Sequence, residues 1–315
     1  MKKKVVVLGG GTGMSTLLRG LKQFPLDITA IVSVCDDGQS TGRLREEFNI
    51  PAVGDIRKVI VALSETEPLI EKILEYRFNT TSDLDGHTVG NLLLTATSNV
   101  TGNISDGIEA LGKILNLKGK VLPLTEDNVT LVAKMQDGNV IEGEHNITDY
   151  HGIINKVYYK EKAVATKEAL EAIYEADLII LSMGSLYTSI IPNLICTDII
   201  EAIDASNAKV LYPCNIMTQP GETDNFKVSD HINILNKYLG KHKIDIVIAN
   251  DGNIEQEIIE KYATLEQKDM VICDIEETKE LCNLIHQDLI SIDNNLIRHN
   301  VLKLAFIVFE YLLNN

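Results

Sequence analysis

Lys4-Val5-Val6-Val7-Leu8-Gly9-Gly10-Gly11-Thr12-Gly13 sets an unbroken apolar run directly against a run of glycines. A strand apolar at nearly every position is buried on both faces, as in a parallel sheet covered by helices. The glycines let a backbone approach a phosphate closely. The helix signalled at Met14–Leu21 would turn its unpaired N–H groups toward that phosphate. Gly9 and Gly11 fit the first two positions of the G-x-G-x-x-G dinucleotide fingerprint, but Met14 stands at the third. The stretch reads as a strand, a phosphate-receiving turn and a helix. The plainer alternative is a tight turn with no ligand. An NAD-dependent oxidoreductase would rest on this loop alone, and no hydride-site partner accompanies it.

The same pattern recurs outward along the chain. Ile28–Val34, Leu178–Leu181, Lys209–Tyr212, Asp245–Ala249, Met270–Cys273 and Leu289–Ile292 are short runs rich in apolar residues. Between them lie segments of helical spacing, such as Leu17-Leu18-Leu21, Ala169-Leu170-Ile173 and Ile254-Ile258-Ile259. Alternating strand and helix signals predict an α/β fold, a Rossmann-like doubly wound and mostly parallel sheet. Residues 54–116 read as a helical insertion. Residues 119–160 read as a small antiparallel hairpin excursion, because Asp137-Gly138 separates Thr130–Met135 from Asn139–Glu144. No linker and no internal repeat divides residues 1–315, so one domain is expected.

Composition narrows the function. Of 315 residues, 29 are basic and 45 acidic, a formal net charge of −16. That field argues against nucleic acid and anionic lipid as partners. It does not forbid a small anion, which a local nest of N–H groups can hold. Five cysteines without a C-x-x-C pair argue against a disulfide framework or a zinc site. No apolar stretch reaches the roughly eighteen residues of a membrane span, and the glycines cut the first apolar run too early for a signal peptide. A soluble cytoplasmic protein without membrane insertion is expected.

Six further segments carry candidate chemistry. In Asp36-Asp37-Gly38-Gln39-Ser40-Thr41-Gly42-Arg43-Leu44-Arg45, paired acids, hydroxyls and two arginines suit a sugar, Mg²⁺ or a phosphate. An Asp-Gly turn before a solvated helix is the alternative. In Gly54-Asp55-Ile56-Arg57-Lys58, Asp55 suits an N-cap, and cations so near a helix start call for an anion beside them. His87 and Asn91, four apart, are expected to share a helix face. Gly184, Ser185, Tyr187, Thr188 and Asn193 follow the run Leu178–Leu181 as a second phosphate nest. Asn215 and Thr218, in a loop that also holds Glu222, suit reading a base or sugar, or form a polar Pro-Gly turn. Arg298-His299 precedes the last helix, where an anion would again explain the charge.

Together the stretches Gly9–Gly13, Asp36–Arg45, Pro51–Arg57, Gly86–Leu94, Ser185–Leu194, Asn215–Asp224 and Ile297–His299 resemble the YvcK family of bacterial gluconeogenesis factors. That family belongs to a wider group including the CofD enzyme, 2-phospho-L-lactate transferase. The resemblance implies a Rossmann-like fold and binding of a UDP-sugar, UDP-N-acetylglucosamine or UDP-glucose. It implies a regulatory role in cell shape and envelope metabolism during gluconeogenic growth, with no established enzyme activity and no required cofactor. By position, Tyr262 and Arg298 would contact the uridine diphosphate. The expected ligand set is Gly10, Gly11, Thr12, Gly13, Asp36, Asp37, Ser40, Thr41, Arg43, Gly184, Ser185, Tyr187, Thr188, Asn193, Asn215, Thr218, Tyr262 and Arg298. Partners would be envelope-synthesis or regulatory proteins; a homo-oligomer fits such a role, although no residue pattern specifies one. The sequence departs from the family at Gln39 and Ser182-Met183, where glycine and Gly-Pro are usual. The alternative is a CofD-type transferase, with Mg²⁺ on Asp36 and Asp37, charge neutralised by Arg43 and Arg45, and His87 in the catalytic set.

Overall fold

The computed structural model describes residues 2–266, 268–293 and 296–315. β1 (Lys4–Gly9) runs into α1 (Gly11–Leu21), and β2 (Asp27–Val32) lies parallel to β1 with Val5 opposite Ile28. The helices α2 (Gln39–Phe48), α3 (Gly54–Leu63), α4 (Pro68–Glu75), α5 (Val89–Thr101) and α6 (Ile104–Ile114) follow. β3 (Lys120–Pro123) then pairs with the outer side of β2. The chain next leaves the sheet. β4 (Leu131–Met135), β5 (Val140–Glu142) and β6 (Ile154–Tyr159) form an antiparallel sheet in the order β5-β4-β6, with α7 (Glu144–Tyr150) between the last two strands.

It returns through α8 (Lys167–Tyr174) to β7 (Leu178–Leu181), on the other side of β1. A wide turn at Leu186–Ile190, then α9 (Ile191–Leu194) and α10 (Thr197–Ala205), lead to β8 (Lys209–Pro213). α11 (Val228–Tyr238) leads to β9 (Ile246–Asn250), and α12 (Gln256–Glu266) and α13 (Ile275–Leu281) lead to β10 (Asn283–Gln287). β11 (Ile290–Asp293) and β12 (Leu296–His299) make an antiparallel ribbon before α14 (Val301–Asn314).

Among the described residues the main sheet has seven parallel strands in the order β10-β9-β8-β7-β1-β2-β3. This is the Rossmann-like doubly wound fold that the sequence predicts. The order reverses between β1 and β7, and there a crevice opens at the carboxyl ends of the strands. The pleat divides the β1 side chains. Val5 and Val7 join Leu17, Leu18, Ile56 and Leu304 on one face. Val6 and Leu8 join Leu181, Ile190, Ile199 and Tyr212 on the other. Each such side chain stabilises the fold by roughly 1.5–3 kcal/mol on leaving water. α1 packs against α3 and α14, which holds its first turn at the carboxyl end of β1.

Several expectations are corrected. The antiparallel excursion starts after Pro123, because Lys120–Pro123 belongs to the main sheet. It is a three-stranded sheet with a helix rather than a hairpin, since β6 pairs along β4. Met270–Cys273 is no strand; Met270 and Ile272 form only isolated bridges to Met217 and Lys227. Ile290–Asp293 pairs with β12, outside the main sheet. No single helix among the described residues is long and apolar enough to cross a membrane.

Candidate functional site

The crevice at the switch point holds about 460 Å³. Thr12, Gly13 and Thr16 of α1 and Met183, Gly184, Ser185 and Ser189 after β7 form one side. The loop Asn215 to Gln219 after β8, Tyr262 of α12, Lys268, and Ile297, Arg298 and His299 of β12 form the other. None of these described lining residues is acidic, in a chain whose formal net charge is −16.

Helix starts leave N–H groups without carbonyl partners. In α1 the buried Asp55 carboxylate lies beside Gly11, while Thr12 and Gly13 bring such N–H groups to the crevice. The N–H groups of Gly184 and Ser185 likewise meet no protein acceptor among the described residues. Two donor pairs at the ends of adjacent strands make an anion nest. The close packing requires glycine: a Cβ on Gly13 would stand 2.2 Å from the Met183 carbonyl oxygen. Gly11 has φ 68°, a region that glycine enters without strain.

The Ser185 hydroxyl is held within the protein. It donates to the Glu222 carboxylate at 2.5 Å and accepts the Thr188 N–H at 3.1 Å. Buried Glu222 also accepts the Tyr187 N–H at 3.3 Å. Burial pushes its pKa above the usual carboxylate range, and the bonds from Ser185 and Tyr187 oppose that rise. Glu222 therefore positions the 184–190 loop.

Across the crevice, Asn215 donates to the Gly184 carbonyl at 3.0 Å, while its Oδ1 is buried without a partner among the described residues. That oxygen suits a ligand N–H or O–H. The Tyr262 hydroxyl is buried and accepts the Ile297 N–H at 2.6 Å, tying α12 to β12. Ile216, Tyr262 and Ile297 make a small apolar wall. His299 donates through Nε2 to the Cys214 carbonyl at 3.0 Å. Burial pushes its pKa down to about 4, so the ring is neutral and Nδ1 is an acceptor. Arg298 is exposed, with Nη1 on the Ile297 carbonyl at 3.2 Å.

On the other flank of the glycine loop the charge is reversed. Glu144 is pushed up to about 9, first by burial and then by the carboxylates of Asp36, Asp55 and Asp37. Burial also raises buried Asp55, which Lys58 at 2.9 Å pulls back down. Asp55 lies in the first turn of α3 rather than at its N-cap, which is Val53. Asp36 and Asp37 do not converge as a metal-holding pair. Asp36 accepts the Gly38 N–H and the Thr41 hydroxyl, each at 2.9 Å, whereas Asp37 turns to the His145 N–H at 2.8 Å. Among the described residues no three His, Cys, Asp or Glu side chains are arranged to hold a metal ion.

The expected residues thus divide. Thr12, Gly13, Gly184, Ser185, Asn215, Thr218, Tyr262 and Arg298 line the crevice. Gly10, Gly11, Asp36, Asp37, Ser40, Thr41, Arg43, Tyr187, Thr188 and Asn193 do not. Arg45 is buried and used by Asn128 at 2.7 Å and by the carbonyls of Val129, Cys35 and Asp36. Arg43 holds the carbonyls of Asp83 and Asp85. Both arginines brace loops. His87 and Asn91 do meet, through Ser40 Oγ at 3.0 and 3.1 Å. They share no helix face, because Thr88 caps α5 and His87 precedes it. Asn193 is wholly buried and bonds the Ser189 and Ile190 carbonyls. Thr16 and Lys268 are additions. Thr16 stands one helical turn beyond Thr12, a spacing that could have flagged it; Lys268 carries no local signal.

Fold and crevice define a Rossmann-like α/β protein with a cleft at its switch point that no acid lines among the described residues. The family model of 2-phospho-L-lactate transferase CofD matches residues 5–290. A gluconeogenesis factor of Bacillus subtilis (strain 168) is 45% identical over 313 residues, covering 99% of this chain and 98% of that protein. A gluconeogenesis factor of Halalkalibacterium halodurans is 43% identical over 311 residues, covering 98% and 96%. A crystal structure of a Bacillus halodurans protein superposes with a TM-score of 0.94 at 43% identity, covering 98% of this chain and all of that one. The chain belongs to the gluconeogenesis factor (YvcK) family of CofD-like proteins.

Proposed function

We propose that the chain binds a UDP-sugar, UDP-N-acetylglucosamine or UDP-glucose, in the switch-point crevice. We propose further that it acts as a cytoplasmic regulatory protein of cell shape and envelope metabolism during gluconeogenic growth. The observation that carries the reading is the lack of any acid among the described lining residues of a strongly acidic chain. The diphosphate would rest on the N–H groups of Thr12, Gly13, Gly184 and Ser185, with Arg298 beside it. Asn215 Oδ1 would take a base or ribose donor, and the Ile216–Tyr262–Ile297 wall would cover the base. Occupancy would bias the 184–193 loop and, next to it, the 35–45 loop, by no more than the ligand's differential affinity for two states. Envelope-synthesis or regulatory proteins would read that bias, with a homo-oligomer as one way to present it. No cofactor is required by this reading.

The second reading is a Mg²⁺-dependent CofD-type transferase, favoured by the carboxylates that crowd the glycine loop. The residues assigned to it do not assemble: Asp36 and Asp37 diverge, and Arg43 and Arg45 are used elsewhere. Calorimetric titration with UDP-N-acetylglucosamine, UDP-glucose, GDP and NAD⁺, with and without Mg²⁺, separates the two. Saturable binding of UDP-sugars alone, recovered intact, is expected. Preference for GDP with Mg²⁺, or recovery of a cleaved ligand, would establish the transferase instead.

A further inference from the structure

α14 carries apolar side chains on every side. Lys303, Glu310, the Tyr311 hydroxyl and Asn314 alone break an apolar sequence from Val301 to Asn314. Such a helix is stable when both of its faces are covered. The inner face is covered: Leu304, Ala305, Ile307, Val308 and Leu312 are buried. Gly20 of α1 lets the two helices touch, since a Cβ there would stand 2.6 Å from the Val301 carbonyl oxygen and 2.9 Å from Ala305 Cβ. The outer face is open. Leu302, Phe306 and Leu313 are 60%, 52% and 67% exposed, and Phe309 is half-buried. Phe24 widens this face, its ring centroid 6.4 Å from that of Phe306 and 5.0 Å from that of Phe309.

Leu302, Phe306, Phe309 and Leu313 follow one another at steps of four, three and four residues, the seam of a helix that pairs with another helix. This seam reads the same in both directions. With a second α14 antiparallel across a two-fold axis between Ile307 and Val308, Leu302 meets the second copy's Leu313, and Phe306 meets its Phe309. Each pair occurs twice, the condition for an isologous contact. Beside the seam, half-buried Lys303 comes next to the second copy's exposed Glu310, and the reverse pair forms too. The Lys303 ammonium gives one of its three donors to the Asp288 carbonyl. Flanking opposite charges favour this antiparallel direction. The exposed parts of the four seam residues and Phe24 make an apolar patch on the order of 400 Å². Two such patches face to face supply about half of a standard interface of roughly 1,600 Å², and the polar rim supplies the rest.

We propose that this face of α14, with Phe24 beside it, is the contact between two copies of the chain, an antiparallel helix pair on a two-fold axis. A net charge of −16 makes the copies repel at a distance, but physiological salt screens that repulsion beyond roughly 8 Å. The crevice lies one layer away. α1, which lines it with Thr12, Gly13 and Thr16, packs on α14, and Arg298 and His299 directly precede that helix. The contact itself needs no ligand, so it holds whether or not the crevice takes a UDP-sugar.

Sedimentation equilibrium of the full chain, free of ligand and at physiological salt, tests it. Wild type is compared with Leu302→Glu, with Leu313→Lys, and with both changes in one chain. Wild type is expected to form a dimer with a dissociation constant on the order of micromolar. Each single change should weaken that dimer about tenfold or more. The double variant should recover most of the loss, because each introduced carboxylate then meets an introduced ammonium of the other copy. That rescue separates the antiparallel register from a merely apolar association. Both leucines are exposed, so the Tm of the dilute monomer should hardly move in any variant. A wild-type chain still monomeric at about a hundred times that concentration would overturn the proposal. A dimer that both single changes leave intact would put the contact on another face and also overturn it. Dissociation by each single change without rescue in the double variant would overturn the antiparallel pairing.

Discussion

The two flanks of the Gly9–Gly13 loop carry opposite charge. On one, the crevice between β1 and β7 has Arg298, Lys268 and open N–H groups, and no acid among its described lining residues. On the other, burial first and then the crowding carboxylates of Asp36, Asp55 and Asp37 push Glu144 up to about 9. The flanks share α1: Asp55 lies beside Gly11, and the next two residues, Thr12 and Gly13, line the crevice. A net charge of −16 therefore says little about either side. Charge is sorted over a few residues, and the sorting decides what each flank can hold.

The largest expected effect comes from reversing the crevice. Arg298→Glu should weaken UDP-sugar binding by roughly a hundredfold or more, since it replaces a charge-assisted contact with repulsion. Calorimetry would read this, while Tm should hardly move, because Arg298 is exposed. Unchanged affinity would break the comparison at its strong side. Next is Gly13→Ala. Its Cβ cannot stand 2.2 Å from a backbone oxygen, so α1 must shift. A loss of about 1–3 kcal/mol is expected, seen as a Tm lower by several degrees, with weaker ligand binding.

The acidic flank is sharpened by pH. A raised carboxyl pKa means that the folded state holds a proton which the unfolded state has already lost. Stability from Glu144 is therefore full below its ordinary value of 4.5 and is lost as pH rises through about 9. Glu144→Gln should flatten that slope, so its Tm advantage over wild type grows between pH 5 and pH 9. Parallel Tm profiles would show that Glu144 is neither buried nor crowded enough to hold its proton. The smallest effect is Tyr262→Phe. Losing the bond to the Ile297 N–H should cost about 1 kcal/mol, read as a fewfold weaker affinity with the crevice otherwise intact.

Much of this was legible because loops that follow apolar strands are visible as text. β1, β7 and β8 stand out as runs of Val, Ile and Leu, and the loops after them supply Thr12, Gly13, Gly184, Ser185, Asn215 and Thr218. β3 has four residues and ends in proline, and β10 is an edge strand with Asn, His and Gln. Neither has the apolar run that marks a central strand. Arg43 and Arg45 show a different limit. A sequence gives their charge but not the carbonyls that use it, so two loop braces read as ligands. Lys268 enters the crevice from beyond α12, where no local pattern points.

A crystal structure of the chain grown with UDP-N-acetylglucosamine and Mn²⁺, with anomalous data, puts the two flanks in direct competition. The account predicts the diphosphate on the N–H groups of Thr12, Gly13, Gly184 and Ser185, with Arg298 against it and intact sugar beyond. A diphosphate bridged by manganese to Asp36, Asp55 or Glu144, with the crevice empty, would contradict it.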